Sequence, residues 1–141
     1  MVPMKPLYTA SAVATGDGRN GHVQSTDGLV DTDVRTPPEL GGPGGATNPE
    51  QLFAAGYAAC FHSALKMVAG KANADTTDSE VVADVSLGSN DDGGFGLAVQ
   101  LEVTLPALER DLAEQLVAQA HEVCPYSNAT RGNIEVTLTV A

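Results

Sequence analysis

Apolar and polar residues alternate along three stretches of the chain. Val81, Ala83, Val85 and Leu87 form one set, Leu97, Val99, Leu101, Val103 and Leu105 a second, and Ile134, Val136, Leu138 and Val140 a third. A period of two places each set on one face of a half-buried strand. The turn-rich segment Asn90 to Gly94 joins the first two sets into a long hairpin. Shorter strands are predicted at Pro6 to Val13, His22 to Ser25 and Leu29 to Val34, with Asp27-Gly28 as the hairpin turn between the last two. Thr36 to Ala46, TPPELGGPGGA, has too many Pro and Gly for a helix or a central strand and reads as a loop.

Two segments carry a helical period instead. Asn48-Pro49-Glu50-Gln51 is a helix start, with Asn48 placed to cap, Pro49 at the first helical position and Gln51 able to reach back. This helix is expected to run to about Gly70. Leu52, Gly56, Cys60, Ala64 and Val68 recur at steps of four beside Ala55, Ala59 and Ser63, so one face is almost entirely small and another backbone can approach it closely. Pro106 is expected to open a second helix striped by Leu108, Leu112, Leu116, Ala120 and Val123, and Pro125 to stop it, which puts Cys124 at its C-terminal end. The order βββ-α-ββ-α-β predicts an α+β fold, two main helices packed on antiparallel sheet, within a single domain over residues 1–141.

Composition narrows the partners. Aromatics make up 4% of the chain and Trp is absent, so the core must rest on Val, Leu and Ala. A net charge of -11, with only seven Lys and Arg spread along the chain, argues against nucleic acid, which needs clustered cations. The start, MVPMKPLYTA, lacks the pattern of a secretory signal, so a cytoplasmic location is expected. Leu52 to Val68 is rich in Ala and interrupted by His62 and Lys66; it is expected to fall short of a membrane span and to form a buried helix, with no membrane partner. Two cysteines in a reducing compartment are not expected to form a static disulfide, which leaves catalytic, redox, metal or inert roles open.

Cys60, in mid-helix among Ala58, Ala59 and Phe61, is either a small core residue or a reactive thiol. A reactive thiolate at that position gains nothing from the positive end of the helix dipole and needs a cation from elsewhere. Arg19, in the turn Gly16-Asp17-Gly18-Arg19-Asn20-Gly21, is the candidate, although a solvated surface arginine fits the same pattern. Cys124 sits where the dipole raises a thiol pKa, which suits a second thiol that attacks an oxidised partner rather than a first nucleophile.

Other chemistries are also written into these positions. His121 and Cys124 are spaced i, i+3, and Cys60 and His62 two apart, which raises a metal site; no CxxC or HExxH accompanies them, and no metal is expected. A cysteine hydrolase would pair Cys60 with His22, His62 or His121. A non-enzymatic module for an apolar ligand or a protein partner would leave both cysteines inert. Phe53, Tyr57, Phe61, Met67 and Phe95 can line a pocket, but large side chains at helical spacing read first as core.

The stretch Gly44-Gly45-Ala46-Thr47-Asn48-Pro49-Glu50-Gln51-Leu52-Phe53-Ala54-Ala55-Gly56-Tyr57-Ala58-Ala59-Cys60-Phe61, followed by Cys124-Pro125-Tyr126-Ser127-Asn128-Ala129-Thr130-Arg131-Gly132-Asn133, resembles the organic hydroperoxide resistance (Ohr) branch of the OsmC/Ohr family. Tyr8-Thr9-Ala10 and the Arg19-Asn20-Gly21 turn extend the resemblance over nearly the whole chain, and the Cys124-Pro125-Tyr126-Ser127-Asn128 stretch favours Ohr over the sister OsmC branch. The resemblance implies a thiol peroxidase for organic hydroperoxides. In it Cys60 is the peroxidatic thiol, Cys124 the resolving thiol, and Arg19 with Glu50 the pair that activates Cys60. It also implies an intertwined homodimer with no bound cofactor, re-reduced by the dihydrolipoyl group of a lipoylated protein. Helix geometry adds a constraint. Ten residues put Glu50 about 15 Å from Cys60 along the axis and about 80° around it. If both serve one site, Glu50 must come from a partner chain, and the expected assembly is a two-fold dimer with composite sites.

Overall fold

The computed structural model describes residues 4–141, which fall into two compact units dividing at Pro49. In the first, β1 (Ala12–Thr15), β2 (His22–Ser25) and β3 (Asp31–Asp33) form an antiparallel sheet in that order. Both outer strands are shorter than predicted because the ladder fixes their ends. Ala12 pairs with Ser25, the last residue of β2, so residues 6 to 11 lie beyond it; β3 pairs only through Asp31 to Asp33. The Asp27-Gly28 turn forms as expected. Gly28 takes φ 76°, and the Asp27 carboxylate accepts from Ser25 Oγ at 2.6 Å and from the Leu29 amide at 3.0 Å. The Gly/Pro loop contains one turn of 3-10 helix, Pro38–Leu40. Among the described residues of this unit Val34 is the one buried large apolar side chain, while Leu7, Tyr8, Val13 and Leu29 are exposed.

His22 joins the strands across this sheet. Its Nε2 lies 2.6 Å from Asp31 and its Nδ1 2.8 Å from Asp33, and Arg35 is 3.7 Å from the other oxygen of Asp33. Two carboxylates facing both ring nitrogens call for the doubly protonated ring. The Asp33 hydrogen bond, then that of Asp31, raises the His22 pKa above the ordinary imidazole value. A raised folded-state pKa contributes stability that is complete below about pH 6.5 and is lost as pH rises through the folded value. Thermal midpoints should therefore separate wild type from His22→Gln at about pH 6 and converge at about pH 9. A gap that persists or widens at the higher pH would contradict this.

The second unit opens with α1 (Pro49–Lys71), one unbroken helix of 23 residues starting at the predicted proline. A ten-residue hairpin follows: β4 (Glu80–Ser89) and β5 (Phe95–Thr104) pair from Glu80 with Thr104 to Ser89 with Phe95. The Asn90 side chain accepts the amides of Asp92 and Gly94 and holds the turn. The second helix, α2, spans Arg110–Val123. Pro106 does not open it, because residues 105–108 make a separate turn in which the Leu108 amide bonds the Leu105 carbonyl, and the helix starts after extended Glu109. Pro125 stops α2 as predicted but also opens a short helix, α3 (Pro125–Thr130), absent from the predicted order.

The last strand, β6 (Val136–Val140), joins β5 in parallel, Val99 with Val136 through Val103 with Val140. This sheet, β4-β5-β6, is therefore mixed rather than antiparallel. The reason is topological: β6 returns to the sheet after a helical crossover, the connection that parallel neighbours require.

The core lies between this sheet and the helices. Val99, Leu101, Val103 and Leu105 face Tyr57, Phe61, Leu65, Val68 and Ala69 of α1 and Ala113, Leu116, Val117 and Ala120 of α2. Each large side chain so buried contributes roughly 1.5–3 kcal/mol. Met67 and Phe95, counted as core from their spacing, are exposed.

On α1 the face packed in the core carries the large residues. Of the small ones, Ala64 is buried, Gly56 and Cys60 are half-buried, and Ala55, Ala59 and Ser63 are open. Contrary to expectation, α1 is long and apolar enough to cross a membrane. Its Tyr57, Phe61, Leu65 and Ala69 are wholly buried against the sheet and α2, so within this fold it is a core helix.

Candidate active site

Cys60 is reached from α1 and Cys124 from the joint between α2 and α3. Cys124 has extended backbone, φ -66° and ψ 125°, and lies between the two helices, capping the end of α2 and the start of α3. Pro125 makes that break, since its ring cannot continue α2 yet suits the first position of α3. The turn points the Cys124 side chain inwards, where it is completely buried, and sets its sulfur 3.5 Å from that of half-buried Cys60. Residues 64 apart in sequence thus form a thiol pair one small movement from a disulfide, whose sulfurs are about 2.05 Å apart.

The surroundings of Cys60 act in opposite directions. Burial, the largest effect, pushes its thiol pKa up, and the neighbouring Cys124 adds to this, while a hydrogen bond from the Tyr126 backbone amide pulls it down; the net direction is upward. Burial thus opposes formation of the thiolate. A reactive Cys60 needs a further positive charge close to its sulfur.

The Tyr126 amide is one of the unpaired donors at the start of α3. Its ring is fixed as well: it stacks on Phe53 with centroids 5.9 Å apart and tilts against Tyr57 at 5.6 Å. The phenol fills the space beside Gly56, where an added Cβ would lie 2.9 Å from Tyr126 Oη. Glycine at 56 is what admits the ring.

The other predicted residues are placed as follows. Arg19 lies half-buried in a one-turn 3-10 helix, Gly18–Asn20, of the first unit, and the bend uses positive φ at Gly16 (79°) and Gly18 (59°). Glu50 is half-buried in the first turn of α1. Because α1 is unbroken, Glu50 stands about 15 Å from Cys60 along the axis and does not meet the thiol of its own chain. Only Cys60 and Cys124 are brought together within the second unit.

The histidines raised as bases or ligands have other partners. His62 Nε2 is 2.9 Å from Ser79 Oγ, and His121 Nδ1 is 2.8 Å from Ser127 Oγ. Burial first, then the charge of Arg131, lowers the His121 pKa, against a smaller opposing effect of Glu122. Among the described residues no group of three or more His, Cys, Asp or Glu is arranged to hold a metal ion.

Sequence reasoning passed over the Tyr126 amide and the buried hydroxyls of Tyr57, Ser127 and Thr130. The signal was present in Pro125 at a first helical position with Ser127 and Thr130 spaced i, i+3 behind it.

Comparison with known proteins identifies the family. The family model for OsmC-like protein matches residues 42–139. An organic hydroperoxide resistance protein of Xanthomonas axonopodis pv. citri (strain 306) is 54% identical over 141 residues, covering 99% of this chain and 98% of the relative. Organic hydroperoxide resistance protein OhrB of Bacillus subtilis (strain 168) is 50% identical over 133 residues, covering 94% and 96%. A crystal structure of an organic hydroperoxide resistance protein from Legionella pneumophila superposes with a TM-score of 0.92 at 55% identity, over 97% of this chain and 99% of that one. With a matching family model over most of its length and relatives of this similarity along all of it, the chain belongs to the OsmC-like family, among the organic hydroperoxide resistance proteins.

Proposed function

We propose that the chain, acting as one domain over residues 1–141, is a thiol peroxidase that reduces organic hydroperoxides to alcohols through Cys60 and Cys124. The observation that carries this reading is the 3.5 Å approach of a half-buried and a buried sulfur from distant parts of the sequence. The names of the relatives, organic hydroperoxide resistance proteins, support the substrate class.

The Cys60 thiolate attacks the terminal oxygen of the hydroperoxide. The O–O bond breaks, the alkoxide takes a proton and leaves as an alcohol, and Cys60 becomes a sulfenic acid. Cys124 then displaces the hydroxyl as water and the disulfide forms. The chain has two cysteines, so it cannot reduce this bond itself. An external dithiol must do so, and the dihydrolipoyl group of a lipoylated protein is the reductant proposed. The cycle needs no bound cofactor or metal.

Burial raises the Cys60 pKa, so thiolate formation is assigned to Arg19, with Glu50 orienting the guanidinium and the peroxide. Glu50 reaches Cys60 only from a second copy, and we place the active site in an intertwined homodimer. The first unit supports this: its apolar Leu7, Tyr8, Val13 and Leu29 are exposed in the single chain, as is the Ala55, Ala59, Ser63 face of α1.

Equimolar cumene hydroperoxide should convert the reduced protein into a Cys60–Cys124 disulfide, read by peptide mass, far faster than hydrogen peroxide does. Protein that consumes the hydroperoxide without that bond has another resolving step. Protein inert to it, with both thiols titrating only on unfolding, would be a non-enzymatic module.

A further inference from the structure

Three helices meet at a cluster of buried polar groups beside the sulfur pair. Tyr57 precedes Cys60 by one turn on α1, His121 precedes Cys124 by one turn on α2, and Ser127 follows Cys124 by one turn on α3. Tyr57 Oη lies 2.8 Å from Ser127 Oγ and 3.1 Å from Thr130 Oγ1. His121 Nδ1 lies 2.8 Å from Ser127 Oγ, and the Thr130 hydroxyl donates to the Tyr126 carbonyl at 3.0 Å. Arg131, at the end of α3, bonds the His121 carbonyl. Tyr57 and Ser127 have no exposed surface.

Hydroxyls buried this deeply cost stability unless every one finds a partner, and apolar side chains of similar shape would fill the space without that requirement. What the polar chain adds is direction, because it ties α3 to α1 and α2 at one point. Cys124 needs such a tie. It occupies a non-helical joint whose amide still bonds the Ala120 carbonyl of α2 and whose carbonyl accepts the Asn128 amide of α3, so the setting of α3 against α2 bears on where the sulfur points.

We propose that Tyr57, Ser127 and His121 are positioning residues for Cys124: they set how fast the second thiol closes on oxidised Cys60, not how fast Cys60 meets peroxide. The inference rests on the two-thiol reading above. In the step concerned, the Cys124 sulfur attacks the sulfur of the Cys60 sulfenic acid. An S–S bond forms, the S–O bond breaks, and the hydroxyl leaves as water with the thiol proton. The sulfurs must close from 3.5 Å to about 2.05 Å, and a freely pivoting α3 would spend most of its time with Cys124 off that line.

The test is a single turnover of the full chain. Reduced protein is mixed with one equivalent of cumene hydroperoxide, quenched at intervals with dimedone, and read by mass for thiol, sulfenic acid adduct and disulfide. Tyr57→Phe leaves Ser127 bonded to His121 and Thr130 bonded to the Tyr126 carbonyl, so no buried group is orphaned. It should slow disulfide closure about tenfold and raise the dimedone adduct at Cys60, while loss of the Cys60 thiol changes less than about twofold.

Ser127→Ala removes the junction itself and serves where Tyr57→Phe does not fold; it should show the same split with a larger effect. Ser127→Thr, which returns the hydroxyl, should bring closure back to within about threefold of wild type. Equal slowing of both steps, or closure at the wild-type rate in Tyr57→Phe and Ser127→Ala, overturns the assignment. Wild type that loses the Cys60 thiol without ever forming the disulfide fails earlier, at the two-thiol reading, and is recognised before any substitution is made.

Discussion

Cys60→Ser should lower the reduction of cumene hydroperoxide by at least about a thousandfold, because a serine hydroxyl does not ionise at neutral pH and oxygen is a poor nucleophile towards peroxide oxygen. Cys124→Ser should behave differently. Its Cys60 still oxidises, but no S–S bond can close, so the sulfenic acid persists, accepts dimedone and passes to sulfinic acid with excess peroxide. Turnover with a dihydrolipoyl dithiol then depends on that dithiol reaching the sulfenic acid itself, and should fall by about ten- to a hundredfold. Steady-state assays together with peptide mass distinguish the two variants. Equal residual activity in both would deny the division of labour between the sulfurs.

The second large effect concerns Glu50. Homodimers of Glu50→Ala and of Cys60→Ser should each be nearly inactive, the first by loss of the orienting carboxylate and the second by loss of the nucleophile. If the sites are composite as proposed, a mixed dimer would place the intact Glu50 of one chain beside the intact Cys60 of the other and rebuild one site of two. About half of the wild-type activity per dimer is expected, measured on heterodimers isolated with two different tags. The continuity of α1 from Pro49 to Lys71 makes this a sharp test, since no kink brings Glu50 back to its own thiol. A dead mixed dimer would mean that both groups act within one chain, or that Glu50 does not act at Cys60.

Local patterns made much of the second unit legible. Alternation from Val81 to Leu105 gave the hairpin, because one buried face forces a period of two, and Asn48-Pro49 marked the start of α1. What they left out depends on pairing at a distance. The limits of β1 follow from where β2 ends, and the parallel setting of β6 follows from the crossover through α2 and α3; neither leaves a mark on its own strand. Pro125 was read only as a stop, since proline after one helix and proline at the start of the next are the same residue in the same place. The sulfur pair could be named from residue type and resemblance, but its 3.5 Å separation is set by packing across 64 residues. Tyr126 was missed because its link to Cys60 is a backbone amide, which any residue but proline possesses.

The span of that sulfur pair has a further consequence. A bond between Cys60 and Cys124 would tie off a loop holding the second half of α1, the whole hairpin and α2, which is most of the core. Loop-closure entropy for a ring of this length is worth roughly 4 kcal/mol against unfolding. Each turnover of the proposed cycle would therefore pass the fold through a more heat-resistant state at the moment oxidant is present, and return it to the looser dithiol form when reductant is available.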